Sequence, residues 1–294
     1  MQKVLIIGCG YTGIRMAVRL QEAGYSVTGT ARSEARVSAM RKVGIEPVTG
    51  ALDDEQTLRQ LVALDPALIV YFIPPQKSGA DPLAGVVDAF RQSNPEAFIY
   101  ASATSVYGDR HGDWVDENSP IVDDGVADRG RIDAERLVEN AAREYGLPIR
   151  ICRISGIYGP ERTLKGMLKS GHYKLIEGQY SWVARIHVDD LVSGFIAAWE
   201  KGENGHVYNM VDQQPHRAAE FANLAADLNE LPRPEVIGEA EAREKYSEDE
   251  WRRKTSSKRI RCATLTDQLG VELKYPTFED GLPASVAEER ASRN

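Results

Sequence analysis

Three glycines set the strongest constraint on this chain. It opens "MQKVLIIGCGYTGIRMAVRLQEAGYSVTGTAR", with Gly8, Gly10 and Gly13 in G-x-G-x-x-G spacing. Ahead of them, Val4 to Ile7 is a continuous apolar run, as in a parallel strand buried on both faces. Behind them the pattern turns helical, with Ile14, Ala17, Val18 and Gln21 on one face and Gly24 as the stop. A second strand is expected over Ser26 to Thr30. Gly8 permits a tight turn, Gly10 lets a pyrophosphate approach the backbone, and Gly13 lets the helix pack close to the strand. The helix N-terminus offers N–H groups and a positive dipole end to the phosphates. Gly8, Gly10, Tyr11, Thr12 and Gly13 are therefore the candidate dinucleotide contacts. The alternative is a glycine-rich turn of purely structural use.

The end of the second strand selects the dinucleotide. An acidic residue there would hold the ribose hydroxyls of NAD. The chain instead reads "GTARSEAR", with no carboxylate before Glu34 and with Arg32 where the adenosine ribose would lie. Arg32 suits a 2′-phosphate, and Arg36 stands one turn on. NADP is expected, with NAD as the alternative. A solvated surface arginine is the competing reading of Arg32. Cys9, inside the loop, reads as a small filler rather than a redox handle.

Strand and helix keep alternating. "GIEPVTGALDD" is a strand and turn, with Asp53 or Asp54 starting the helix of "EQTLRQLVAL". "ALIVYFIPP" and "AFIYASATSVYGD" are strands, the second running into a small-residue turn. "RIDAERLVENAAREYG" is an amphipathic helix, with Ala134, Leu137, Val138, Ala141 and Tyr145 on one face. Asp128 reads as its cap. The alternation specifies an α/β fold, a doubly wound parallel sheet of the Rossmann kind, and the length of 294 residues leaves room for a smaller C-terminal lobe. The expected boundaries are 1–160 plus 186–212 for the nucleotide-binding domain, and 161–185 plus 213–294 for the lobe. A net charge of −8 argues against nucleic acid or an anionic membrane as partner, while leaving room for a small anionic ligand held by local arginines. Cys9, Cys152 and Cys262 are far apart and form no metal-ligand spacing, so no metal is expected and a reduced cytoplasm is the expected home.

Four motifs in order, "GCGYTG", "SATSVYGD" at 102–109, "ISGIYGP" at 154–160 and "RIHVDDLV" at 185–192, carry a family likeness. Together they resemble the extended short-chain dehydrogenase/reductases, the NAD(P)-dependent epimerase/dehydratase group. "TSVYGD…WVDENSP", "DRGRIDAE" and "YPTFEDGL" resemble its atypical, YeeZ-like branch. The resemblance implies a Ser or Thr that binds the substrate oxygen, a Tyr that moves the proton, and a Lys one helical turn later. Here those positions are Ala103, Ala127 and Arg131. No Tyr lies between Tyr107 and Tyr145, and no Lys between Lys77 and Lys165, so no shift of register restores the set. Arg131 can hold a ribose but cannot carry a proton, because its pKa exceeds about 12. The remaining catalytic candidates are Thr104, Tyr107 and Arg131, with Ser102 at the nicotinamide end of the cofactor.

The resemblance also implies that the irregular "RTLKGMLKSGHYKLIEGQYSW" belongs to the substrate lobe. Tyr107, Tyr158 and Arg185 are the candidate substrate contacts. Arg185, two residues beyond the position where the group often places a diphosphate-binding arginine, suits an anionic, nucleotide-bearing substrate. An ordinary surface arginine is the equal alternative. His187 reads as a structural strand-to-helix corner. "EAEAREKYSEDEWRRKTSSKR" reads as solvated helix and loop. A homodimer is an expectation from the resemblance. Two functions remain. One is an NADP-binding oxidoreductase or epimerase-like protein with a degenerate active site. The other is a non-catalytic NADP-binding regulator or redox sensor. A purely structural role fits poorly with an undegraded phosphate loop.

Overall fold

A computed structural model describes residues 1–76, 81–121 and 128–292. The first half runs β1 (Lys3–Ile7), α1 (Tyr11–Glu22), β2 (Ser26–Thr30), α2 (Glu34–Lys42), β3 (Glu46–Val48), α3 (Glu55–Val62), β4 (Leu68–Tyr71), α4 (Pro82–Phe90) and β5 (Ala97–Ala103). A 3₁₀ turn (Thr104–Tyr107), β6 (Trp114–Val115), α5 (Arg129–Tyr145), β7 (Ile149–Ile154) and β8 (Gly156–Tyr158) follow. Then come α6 (Lys165–Lys169), β9 (Leu175–Ile176), β10 (Trp182–Val183), β11 (Arg185–His187), α7 (Val188–Glu200), β12 (Val207–Met210) and β13 (His216–Arg217). The chain ends with α8 (Ala218–Leu228), β14 (Val236–Ile237), α9 (Glu239–Lys245), α10 (Glu248–Thr255), β15 (Arg259–Ile260) and α11 (Phe278–Ala291).

The expected sheet is present. Seven strands lie in the order β12-β7-β5-β4-β1-β2-β3, and β3, β2, β1, β4 and β5 pair in parallel. This is the 3-2-1-4-5 order of doubly wound dinucleotide-binding sheets. Val4 to Ile7, all of β4 and all of β7 are buried, because helices cover both faces. The core joins Leu5, Ile7, Ile69, Tyr71, Phe98 and Tyr100 to Leu83, Val86, Phe90 and Val138 from the helices. Local chemistry starts the helices. Asp54, of the two candidates, caps α3: its carboxylate accepts from the backbone N of Thr57 at 2.8 Å and from the Thr57 hydroxyl at 2.7 Å. Asp81 caps α4 at 2.9 Å from the backbone N of Leu83, with Pro82 in the first turn.

Three expectations need correction. The buried face of α1 is Thr12, Gly13, Met16, Ala17 and Leu20, not the face through Ile14 and Val18. Small residues face the sheet there because α1 packs close to β1. Tyr145, the last residue of α5, is 45 % exposed, since a helix end runs past the edge of the core. The charge-rich stretch over 239–258 is not wholly solvated: Trp251 is buried with Ile176, Ile237 and Ala242.

The chain divides into two compact units. The first is Met1–Ala103, Arg129–Arg153 and Val192–Tyr208. The second is 104–128, 154–191 and 209–294. In the second unit β8 and β11 pair in parallel, with Arg185 opposite Gly156 and His187 opposite Tyr158. Its core gathers Tyr158, Leu168, Phe221, Ala225, Phe278 and Leu282. Among the described residues, no helix is long and apolar enough to cross a membrane.

Candidate cofactor and substrate sites

In the first unit each glycine of the loop has a separate physical reason. Gly8 has φ +81, and a Cβ there would lie 2.7 Å from Ile73 Cγ1. The turn closes with the backbone N of Gly10 donating to the carbonyl of Gly8 at 2.7 Å. A Cβ at Gly13 would lie 3.0 Å from Ile6 Cγ2, so the glycine sets how near α1 approaches β1. The loop is tied to β2, where the Thr30 hydroxyl accepts from the backbone N of Gly8 at 2.9 Å. No side chain caps the N-terminus of α1, and its first turn carries no acid, so the end keeps its donor character and positive dipole for an anion.

A cavity of about 750 Å³ starts at Gly8, Cys9 and Gly10, passes Thr30 and Ala31, and reaches Arg32, Ser33 and Arg36. Leu52, Asp53, Phe72 and Ile73 line its other walls. Among the described residues, no carboxylate pairs with Arg32 or Arg36. Ser33 caps α2 by accepting from the backbone N of Arg36, so the local fold places the hydroxyl and both guanidinium-bearing residues on one wall. Asp53 reads as a helix-start candidate in the sequence and emerges here as a cavity residue. Its only sequence signal is its place just after β3. Burial pushes the Cys9 thiol up to about 12, against the pull of Arg36, so it stays protonated and unreactive near neutrality.

At the far end of the sheet, the residues that remain from the catalytic pattern are tied into the scaffold. Ser102 is 1 % exposed and donates to Glu135 Oε1 at 2.5 Å. Glu135 in turn accepts from Arg153, Nη2 to Oε2 at 2.8 Å, in a buried ion pair. Arg131 donates from Nη1 to the carbonyl of Ala101 at 3.0 Å. Ala127 lies outside the described residues. In the second unit Thr104 begins the 3₁₀ turn, and Tyr107 is fully buried, its hydroxyl donating to Asn209 Oδ1 at 2.8 Å. Asp128, immediately before α5, accepts from the Ser105 hydroxyl.

Tyr158 is also fully buried and donates to the carbonyl of Thr277 at 3.2 Å. Burial raises its phenol well above the ordinary range. His187 is a corner. Its Nδ1 accepts from the backbone N of Asp189 at 3.1 Å, which leaves Nε2 as the donor to the Ser285 hydroxyl. The Ser285 hydroxyl in turn donates to the carbonyl of Gly281 at 2.7 Å. That tautomer cannot take a proton from Ser285, so the trio is structural. Arg185 lies with its guanidinium carbon 3.7 Å from the centroid of the Phe221 ring. Its side chain lines a second cavity, of about 620 Å³, with Ile157, Thr163, Leu164, Lys165 and Lys169. Among the described residues there is no cluster of three or more metal-ligating side chains.

The model of the NAD dependent epimerase/dehydratase family matches residues 4–210, from the first strand to the last strand of the sheet. The chain belongs to that family. Protein YeeZ of Escherichia coli K12 is 26 % identical over 288 residues, covering 94 % of this chain and 97 % of YeeZ. A functionally unknown conserved protein from Silicibacter pomeroyi superposes with a TM-score of 0.84 at 28 % identity, over 98 % of this chain and 99 % of that one. UDP-glucuronic acid 4-epimerase from Bacillus cereus, in complex with NAD, has a TM-score of 0.80 at 15 % identity over the whole of both chains. UDP-glucose 4-epimerase from Thermotoga maritima, with UDP-glucose, has 0.79 at 19 % over the whole of both chains. At those identities the two epimerases speak for the fold. This epimerase/dehydratase family member therefore has the expected doubly wound architecture.

Proposed function

We propose that this member of the epimerase/dehydratase family is an NADP(H)-binding oxidoreductase or epimerase-like protein whose proton-transfer machinery departs from the family pattern. The carrying observation is Arg32, Ser33 and Arg36 on one wall of the cavity that begins at the glycine loop, with no acid in the β2–α2 turn. A carboxylate there would repel a 2′-phosphate and accept from a 2′-hydroxyl. Two guanidinium groups and a hydroxyl do the reverse. Gly8 to Gly13 and the N-terminus of α1 would hold the pyrophosphate. The bound nicotinamide would supply or accept a hydride. The protein would supply placement.

With Ala103, Ala127 and Arg131 at the Ser, Tyr and Lys positions, the usual proton relay is missing. Loss of a positioned general acid–base group lowers rates by roughly 10²- to 10⁴-fold. Arg131 and Ser102 act as positioning residues at the end of β5. Of the three substrate candidates, Arg185 is the one proposed to touch an anionic ligand. Tyr107 and Tyr158 are fully buried, and Tyr158 packs in the core with Phe221, the ring under Arg185. Two of the structural neighbours are a UDP-glucuronic acid 4-epimerase and a UDP-glucose 4-epimerase, and a nucleotide-sugar-like substrate is the class proposed here.

Fluorescence titration of the purified protein with NADPH and with NADH tests the cofactor reading. Tighter NADPH binding supports it, and tighter NADH binding refutes it. A second reading, a regulator that binds NADP without turnover, draws on Ser102 and Arg131 being tied to Glu135 and to the Ala101 carbonyl. Restoring the pattern (Ala103→Ser, Ala127→Tyr, Arg131→Lys) separates the two. A variant that gains turnover where the parent has none identifies the parent as a binder.

A further inference from the structure

Four short strands of the second unit lie side by side in the order β13, β10, β15, β6. Trp182 on β10 is paired with Arg217 on β13, and Arg259 on β15 is paired with Trp114 on β6. The backbone N of Lys258 donates to the carbonyl of Trp182 at 3.1 Å, and that of Arg259 to the carbonyl of Asp113 at 3.0 Å, which sets β15 between β10 and β6. Successive side chains of a strand point to opposite faces. Val115, Ile260 and His216 turn inward and are buried. Trp114, Trp182, Arg217, Arg259 and Arg261 therefore share the outer face. None of them lines either of the two cavities.

On this face arginine and tryptophan alternate. Arg217 stacks on Trp182, its guanidinium carbon 3.6 Å from the ring centroid, and Arg259 from the strand on the other side lies 5.4 Å from the same centroid. Arg259 and Arg261 are each 5.2 Å from the Trp114 centroid. The rings hold the guanidinium groups in place, so less side-chain freedom is lost when a ligand arrives. Arg217 gives an N–H to the carbonyl of Tyr180, and Arg259 Nε donates to that of Gly112 at 2.6 Å, which leaves each fork with further donors. Among the described residues, no carboxylate lies within ion-pair distance of Arg217, Arg259 or Arg261. Asp116, next along this face after Trp114, is engaged by the Ser119 hydroxyl at 3.0 Å and the backbone N of Asn118 at 3.1 Å. Trp114 is 43 % exposed, and Arg261 is exposed.

We propose that this face docks an acidic segment of a partner protein in extended form. The inference goes beyond the cofactor and substrate readings and depends on neither. The chain as a whole carries a net charge of −8, so three guanidinium groups without a carboxylate make a local positive face that a partner's acids complete. Planar guanidinium forks take carboxylates in bidentate fashion. The spacing fits as well. Arg259 and Arg261 stand two residues apart on one strand, roughly 6.6–6.8 Å, which is also the spacing of alternate side chains in an extended partner. Arg217 lies two strands from Arg259, roughly 9.5 Å across the face. A nucleic acid fits less well. Its bases need open aromatic faces, and Trp182 already carries an arginine from each neighbouring strand. The overall charge also repels a long polyanion.

The test is fluorescence anisotropy of a labelled hexaglutamate peptide titrated with the full chain, repeated on Arg217→Gln/Arg259→Gln/Arg261→Gln and on Arg41→Gln/Arg91→Gln/Arg143→Gln. The second set makes the same change in net charge at exposed arginines of the first unit. The expected results are a Kd below about 1 mM for the parent at low salt, a loss of roughly tenfold or more in the first variant, and a change within about twofold in the second. The parent's affinity falls as salt rises. If the first variant does not fold, Arg261→Gln alone decides, with an expected loss of roughly threefold or more. Equal losses in the two triple variants overturn the proposal, because net charge is then sufficient. So does an unchanged first variant, or no peptide binding up to about 1 mM. A dT decamer that binds more tightly than the peptide overturns it too, since the face then serves nucleic acid. A dimer of the parent in sedimentation that the first variant dissolves makes a second copy the occupant, and also overturns it.

Discussion

Arg153→Met should destabilise the first unit far more than the loss of an ordinary ion pair. Arg153 and Glu135 have side chains 4 % and 2 % exposed, and they meet through Nη2–Oε2 at 2.8 Å and Nε–Oε1 at 3.1 Å. Removing the guanidinium leaves the Glu135 carboxylate buried with the Ser102 hydroxyl as a donor. An uncompensated buried charge of this kind costs about 3–5 kcal/mol, against about 0–1 kcal/mol for an exposed pair. At the size of this unit that loss lowers the melting temperature by on the order of 10 °C. The double variant Glu135→Leu/Arg153→Met removes both charges and should be more stable than Arg153→Met alone, giving a coupling energy of at least about 2 kcal/mol. The assay is urea denaturation and scanning calorimetry of the four proteins in the cycle. A single-variant loss below about 1 kcal/mol, or simple additivity in the cycle, would refute the reasoning, since the pair would then be behaving as a solvated one.

Further outcomes follow from three residues elsewhere. Burial holds the His216 imidazole neutral, with its pKa lowered to about 4 from the model-peptide 6.5. The unfolded chain takes up a proton there first, so stability is lost as pH falls from about 6.5 towards 4, by roughly 3 kcal/mol; His216→Gln should flatten that part of the stability–pH curve. Cys9, raised to about 12, loses its proton only in the unfolded chain between about 9 and 12, so its contribution to stability falls as pH rises through that window. At pH 8 the same thiol should resist alkylation in the folded protein and react on unfolding, as mass spectrometry would show. Gly29→Ala puts a Cβ 2.8 Å from both Cys9 Cβ and Met40 Sδ, which should cost about 1–3 kcal/mol in denaturation and weaken NADPH binding through the displaced loop.

The parts of the account read from sequence are those whose causes are local. β1, the glycine turn and the start of α1 lie within a dozen residues, and each step has its own composition. Arg32 is read the same way, from the absence of a neighbouring acid. The face of α1 is misjudged because apolarity points to Ile14 and Val18, while close packing on β1 is made by Thr12 and Gly13, whose smallness a hydrophobic pattern does not register. Ser102, Glu135 and Arg153 come from β5, α5 and β7, and nothing in the spacing of one predicts the other two. Trp251 stands in a run of charge, and Ile176, which helps bury it, comes from a distant strand of the second unit. The second cavity was foreshadowed only by Arg185. Lys165 and Lys169 read as part of an irregular stretch until α6 places them on its wall.

The most direct test of the central claim uses ligands without the nicotinamide half. Calorimetry with 2′-phospho-ADP-ribose and with ADP-ribose, on the parent and on Arg32→Ala/Arg36→Ala, isolates the cavity wall from everything else. The account predicts that the 2′-phosphate tightens binding to the parent by roughly 10- to 100-fold, and that the double variant loses this preference while keeping its ADP-ribose affinity. Equal binding of the two ligands by the parent, or a preference that survives the double variant, would contradict it.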